Sequence, residues 1–233
     1  MMTPADSLVA VVVAAGQSRR FGTDKLFCQL GGKPVLAWSL DAFEQSPAVC
    51  RIVLVLGPNN LERGRRLVQR RQYAKIQAIC PGGQRRQDSV RNGLREAAGA
   101  VWVAIHDAAR PFLSSDILER GFTLARQVGA ALAAVPVKDT IKIVQTGNPA
   151  HFVERTPPRR DLWAAQTPQI FRYEQLLDAY RKHGDVDVTD DAEVFERAGL
   201  PVAIFEGSDL NFKITTPGDL VLARAVARER RSA

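Results

Sequence analysis

Short unbroken apolar runs recur along the chain, and the stretches between them carry apolar residues at helical spacing. In the first run Val9, Val11, Val12 and Val13 are β-branched with no polar residue between them, the pattern of a strand covered on both faces. PVLAWSLDAFEQ (34–45) then reads as a helix behind a proline that suits a first turn, and RIVLVLG (51–57) as a second strand. A basic helix over 59–72, a strand KIQAIC (75–80) and a helix DSVRNGLREAA (88–98) follow. VWVAIH (101–106) is a fourth strand, SSDILERGFTLARQVG (114–129) its return helix and ALAAVPV (131–137) a fifth strand. Alternation of this kind predicts an α/β domain built on a mostly parallel twisted sheet with flanking helices.

The pattern changes at Lys138. From there to Arg160 short alternating segments surround a Gly-Asn-Pro turn, which predicts a projecting β-hairpin with too few apolar residues to form its own core. YEQLLDAYRKHG (173–184) and DDAEVFERAG (190–199) return to helical spacing, with Thr189, Asp190 and Asp191 as capping residues for the second. PVAIFEG (201–207) reads as a further strand and TPGDLVLARAVARER (216–230) as a closing helix. The 233 residues, 45% of them hydrophobic, suit one compact domain, with residues 138–160 as an arm within it.

Charge changes this picture only at certain loops. The net charge of +7 is spread over Arg63, Arg65, Arg66, Arg70, Arg71 and the C-terminal tail without interleaved aromatic residues, so solvated helix faces are expected and nucleic acid is not. No apolar stretch has membrane-spanning length and the N-terminus lacks a secretory pattern, so a cytoplasmic protein with no membrane partner is expected. Cys28, Cys50 and Cys80 are far apart, lack zinc or redox spacing and read as reduced packing residues.

In a parallel sheet, ligands bind beyond the carboxyl ends of the strands. The loops after the first, third and fourth strands, together with the lysine of NFKIT, would gather Arg19, Arg20, Lys25, Arg86, Asp107, Arg110 and Lys213 around Gly16, Gly82 and Gly83. Glycines let backbone N–H groups approach phosphate oxygens, and fixed cations neutralise charge that develops during phosphoryl or nucleotidyl transfer. A nucleoside triphosphate fits this set, although neither a Walker sequence nor GxGxxG is present. Taken singly, Asp107 reads equally as a structural cap or arginine partner and as a metal or substrate group. His106 reads as a structural histidine, and three scattered histidines assemble no triad.

The segments AAGQSRRFGTDK, PGGQRRQDSV, HDAARPF, VPVKDTIK, WAAQTPQIF, VTDDA and NFKIT together resemble the 2-C-methyl-D-erythritol 4-phosphate cytidylyltransferase family over nearly the whole chain. HDAARPF with the TPQ element and the arm is specific to that family and its nearest relatives. The resemblance implies a Rossmann-like nucleotidyltransferase fold, a dimerisation arm, and transfer of the cytidylyl group of CTP to 2-C-methyl-D-erythritol 4-phosphate, with release of pyrophosphate, in the non-mevalonate isoprenoid pathway. It implies that Ala14, Ala15 and Gly16 offer backbone contacts to the triphosphate, and that Arg20 and Lys25 stabilise the transition state. Gly83, Arg86 and Ser89 would lie at cytosine and ribose, and Asp107 and Arg110 beside nucleotide and substrate. Thr140, Arg159 and Thr167 would hold the methylerythritol phosphate, and Lys213 would sit on the reacting phosphates. Mg²⁺, or another divalent cation, would be bound mainly through the CTP phosphates, and the arm would make a homodimer. This chain departs from the family's usual first loop at Ser18 and Asp24, while the lysine between Asp24 and Leu26 is kept. A transferase for another polyol phosphate, such as ribitol 5-phosphate, and a non-catalytic nucleotide-binding regulator are the competing readings; Ala108 and Ala109 disfavour the first, and the joint presence of Arg20, Lys25 and Lys213 the second.

Overall fold

The computed structural model describes residues 8–16, 21, 24–147 and 150–232. Its centre is a seven-stranded sheet, and strand β1 (Leu8–Ala14) lies inside it with every residue buried. Parallel strand β4 (Val49–Leu56) flanks β1 on one side and parallel β6 (Trp102–Asp107) on the other. Strand β5 (Ile76–Pro81) lies beyond β4, so the loops leaving β1, β5 and β6 share one edge. Two short pieces, β2 (Gln29–Leu30) and β3 (Lys33–Pro34), form a separate antiparallel pair before helix α1 (Val35–Gln45).

The other half of the sheet holds β7 (Ala130–Pro136) and, parallel to it, β11 (Ala203–Glu206). Between β6 and β7 runs β10 (Trp163–Arg172), antiparallel to both. Sequence periodicity predicts no strand there, because the stretch holds a proline and two glutamines. Its register shifts between Ala165 and Gln169, and the Thr167–Pro168 peptide is cis. The proline therefore sits where ladder pairing is already interrupted.

Alternation along β1 divides the core between the two faces of the sheet. Leu8, Ala10, Val12 and Ala14 pack with α1, α4 (Ser115–Val128) and α7 (Pro217–Ser232), whereas Val9, Val11 and Val13 pack with α3 (Arg86–Glu96), α5 (Tyr173–His183) and α6 (Asp191–Arg197). Helix α2 (Leu61–Arg71) keeps its arginines largely at the surface, as solvated faces require. Cys80 is buried at the end of β5, but Cys50 is exposed and does not pack as expected.

The arm is a two-stranded antiparallel sheet of β8 (Ile143–Gln145) and β9 (Phe152–Arg155), unpaired with the central sheet. Phe152 keeps 67% of its surface exposed and Val153 61%, so β9 leaves most of its apolar area uncovered. Among the described residues no helix is long and apolar enough to cross a membrane.

Candidate active site

The end of β6 supplies the centre of the site. Asp107 is the last residue of that strand and is 7% exposed. Its Oδ1 lies 3.0 Å from Arg86 Nε, on the first turn of α3, and its Oδ2 lies 2.7 Å from Lys213 Nζ, beyond β11. Burial would push the carboxyl pKa up, but Arg86, Lys213 and Arg110 more than offset it and hold Asp107 ionised, well below the usual carboxylate range. Three sequence-distant segments thus meet on one carboxylate.

Each partner of Asp107 is held from behind. Arg86 Nη2 lies 2.8 Å from the wholly buried Asp191 Oδ2, a close ion pair. Burial works against the Arg86 charge, yet Asp191 and Asp107 together raise its pKa. Tyr180 donates to the other Asp191 oxygen at 2.6 Å. The capping reading is therefore corrected at Asp191: Asp190 caps α6 by accepting from Glu193 N, while Asp191 turns inward as the counter-ion of Arg86. Lys213 is fixed through its neighbours, with Asn211 Nδ2 donating to Thr167 O at 2.8 Å and Ile214 N to Ala109 O at 2.8 Å.

The structural reading of His106 holds, and its tautomer follows from its partners. Arg110 O, 3.1 Å from Nε2, can only accept, so Nε2 carries the hydrogen. Burial lowers the imidazole pKa to about 4, leaving Nδ1 as an acceptor for the Thr167 hydroxyl at 3.1 Å. Thr167 Oγ1 in turn accepts from Asp107 N at 3.0 Å. Neutral His106 and Thr167 therefore lock the backbone that carries Asp107.

Two pockets share this centre. The first is lined by Ala14, Ala15, Gly16, Lys25, Gly83, Arg86, Ser89, Asp107 and Lys213, and also by Gln84 and Arg85, whose charge and polarity carry no signal in the sequence that sets them apart from a solvated loop. A Cβ on Gly82 would overlap the Ala15 side chain and lie 2.8 Å from Ser89 Oγ, so glycine lets the two loops close on each other. Ser89 Oγ accepts from Gly83 N at 3.1 Å and donates to Arg85 O at 3.2 Å, and the Asp88 carboxylate accepts from Arg85 N at 3.1 Å and from the Arg85 guanidinium at 2.8 Å on the same turn. Asp24, the departure noted in the first loop, caps the short turn Lys25–Phe27 by accepting from Leu26 N and from Asn60.

The second pocket, on the other side of Asp107, is lined by Arg86, Asp107, Arg110, Thr167 and Lys213, with Gln166, Gln169, Thr189 and Asp190 completing the wall. Arg110 donates to Asn211 O at 2.8 Å and to Ala165 O at 3.3 Å, and burial lowers its pKa. Thr140 and Arg159 line neither pocket: both are exposed at the arm, where Arg159 Nη1 donates to Lys138 O at 2.7 Å. Arg19 and Arg20 lie outside the described residues, as does Ser18.

Among the described residues no three His, Cys, Asp or Glu side chains are grouped so as to hold a metal. Of the described residues that line the first pocket, Asp107 is the one carboxylate, and both its oxygens already carry cationic donors. Such a donor set fits a divalent ion only in the manner of Mg²⁺ on a nucleotide, where one carboxylate supplements phosphate oxygens and water.

A family model described as 2-C-methyl-D-erythritol 4-phosphate cytidylyltransferase matches residues 8–229. The enzyme of that name from Dehalococcoides mccartyi (strain CBDB1) is 48% identical over 223 residues, covering 95% of this chain and 96% of the relative. The crystal structure of the 4-diphosphocytidyl-2C-methyl-D-erythritol synthase of Anaerococcus prevotii DSM 20548 superposes with a TM-score of 0.85 at 27% identity, over 96% of this chain and 97% of that one. That of the cytidylyltransferase from Thermus thermophilus gives 0.75 at 34% identity, over 94% and 98%.

Proposed function

This chain belongs to the 2-C-methyl-D-erythritol 4-phosphate cytidylyltransferase family, and from that premise we propose how its two joined pockets divide the reaction. The chain transfers the cytidylyl group of CTP to 2-C-methyl-D-erythritol 4-phosphate, giving 4-diphosphocytidyl-2-C-methyl-D-erythritol and pyrophosphate in isoprenoid precursor biosynthesis. The first pocket takes CTP, and the second takes the polyol phosphate. Asp107, bound to Arg86 on one oxygen and Lys213 on the other in the wall common to both pockets, is the observation that carries this division.

Backbone groups of Ala14, Ala15 and Gly16 face the triphosphate, while the tight turn of Gly83 and Ser89, with Arg86 beside it, takes the cytosine and ribose. A phosphate oxygen of the polyol phosphate attacks the α-phosphorus of CTP, the new P–O bond forms as the bond to the β-phosphate oxygen breaks, and pyrophosphate leaves with that electron pair. A phosphate monoester is largely ionised near neutral pH, so neither a protein nucleophile nor a general base is needed. Lys25, Arg20 and Lys213 stabilise charge on the oxygens around the α-phosphorus and on the departing pyrophosphate. Arg110 and Thr167 shape the polyol-phosphate pocket, Thr167 mainly by fixing the Asp107 backbone. A divalent cation such as Mg²⁺ would be held mainly by the CTP phosphates, with Asp107 the one carboxylate offered by the described residues of the first pocket, and would supply Lewis-acid charge neutralisation there.

The arm joins two such chains. Its exposed Phe152, Val153 and Val144 and its unsupported two-stranded sheet favour a homodimer in which each arm packs on the partner. Thr140 and Arg159, which line neither pocket of their own chain, then complete the polyol-phosphate pocket of the partner. Pyrophosphate release measured with CTP or UTP against a panel of polyol phosphates tests the reading. The expected outcome is turnover with CTP and 2-C-methyl-D-erythritol 4-phosphate far above every other pair; comparable rates with UTP, or with ribitol 5-phosphate, would overturn it.

A further inference from the structure

We propose that Gln87, on the first turn of α3, is a positioning residue that sets the far wall of the polyol-phosphate pocket. It is 2% exposed and spends its amide on a single segment about one hundred residues away in the chain. Nε2 donates to Gly184 O and to Val186 O, both at 2.8 Å, and Oε1 accepts from Val188 N at 3.2 Å. Only this orientation of the amide satisfies two carbonyls and one N–H. Arg85 adds a bond to Asp185 O at 3.3 Å.

The segment so held runs directly into Thr189 and Asp190, which line the second pocket. Its far end is gripped by another buried glutamine, Gln169 of β10, whose Oε1 accepts from Asp191 N and Ala192 N at 3.0 Å and whose Nε2 donates to Asp190 Oδ2 at 2.8 Å. Residues 184–192 are thus hung between two glutamines, one on α3 and one on β10. Gln87 directly follows Arg86, so the helix turn that presents Arg86 to Asp107 also sets the height of the Thr189–Asp190 wall. The turn that faces CTP shares Arg85 with this segment, but it keeps bonds of its own, Ser89 Oγ on Gly83 N and Asp88 on Arg85 N and the Arg85 guanidinium, none of which needs the Gln87 amide.

The consequence is an asymmetric effect on the two substrates, and it rests on the assignment of the second pocket to the polyol phosphate. Gln87→Met keeps the length of the side chain and removes its hydrogen bonds. The KM for 2-C-methyl-D-erythritol 4-phosphate should rise about 10-fold, the change expected when a buried hydrogen-bonded wall is released, while KM for CTP and kcat stay within about twofold. Gln87→Glu, which keeps the acceptor for Val188 N and loses both donors, provides the same measurement if the methionine variant does not fold. Equal rises in both KM values, or a lower melting temperature with neither KM changed, would show that Gln87 serves only the fold. Arg110→Ala is measured alongside: if it too leaves the polyol-phosphate KM unchanged, the pocket assignment fails rather than the role of Gln87 alone.

Discussion

Replacing His106 by asparagine should flatten the acid limb of the stability profile, and the size of the effect follows from the burial of the ring. His106 is wholly buried, stacked edge-on against Phe43 at 5.1 Å, and burial takes its pKa from 6.5 to about 4. Because the folded pKa lies below the unfolded one, the unfolded chain binds a proton first as pH falls. Stability from this group is complete above pH 6.5 and is lost as the pH drops from there towards 4. The full loss is about 3 kcal/mol, of which about 2 kcal/mol falls between about pH 7.5 and about pH 5. Asp107 cannot supply this slope, since the stability its depressed pKa confers is lost only as pH falls from the ordinary carboxylate pKa downward, below this window. Urea unfolding of wild type and His106→Asn at the two pH values reads the difference directly, because titrations common to both proteins cancel. The variant is less stable at neutral pH, having lost the bonds to Arg110 O and Thr167, but its stability should fall by about 2 kcal/mol less on acidification. Parallel pH dependence in the two proteins would refute the neutral, buried imidazole and the hydrogen-bond chain built on it.

Lys25→Met and Arg20→Ala should each lower the rate of pyrophosphate release by about 10²-fold, with urea midpoints near wild type; near-normal turnover in either would remove that residue from the chemistry. Mixing Arg159→Ala with Lys25→Met should recover part of the lost activity, because one site in each heterodimer receives both intact residues. With subunit exchange verified, a mixture as inactive as its parents would place Arg159 outside the neighbouring site.

The loops that build the first pocket were legible in the sequence because strand order and residue type carry the information together. Unbroken apolar runs before Ala14 and before His106 fix parallel strands, and parallel strands bring Gly16, Gly83 and Asp107 to one edge. Lys213 was placed from its position after the last strand, and the structure sets it on Asp107. Strand β10 was hidden by its own composition: Gln166, Thr167 and Gln169 are polar yet buried, since their partners are carbonyls, amides and carboxylates distant in sequence. The same cause concealed Gln87 and turned Asp191 into an apparent cap. A pattern of polar positions identifies surface only when no distant partner takes up their hydrogen bonds.

The meeting of both pockets at the Asp107–Lys213 pair is tested most directly by single-turnover kinetics of Lys213→Met with CTP and 2-C-methyl-D-erythritol 4-phosphate. The chemical step should slow by about 10²-fold while CTP affinity changes little, since Lys213 acts on charge that develops as the phosphates react. An unchanged rate of cytidylyl transfer in a folded Lys213→Met enzyme would contradict the placement of the reacting phosphates at that pair.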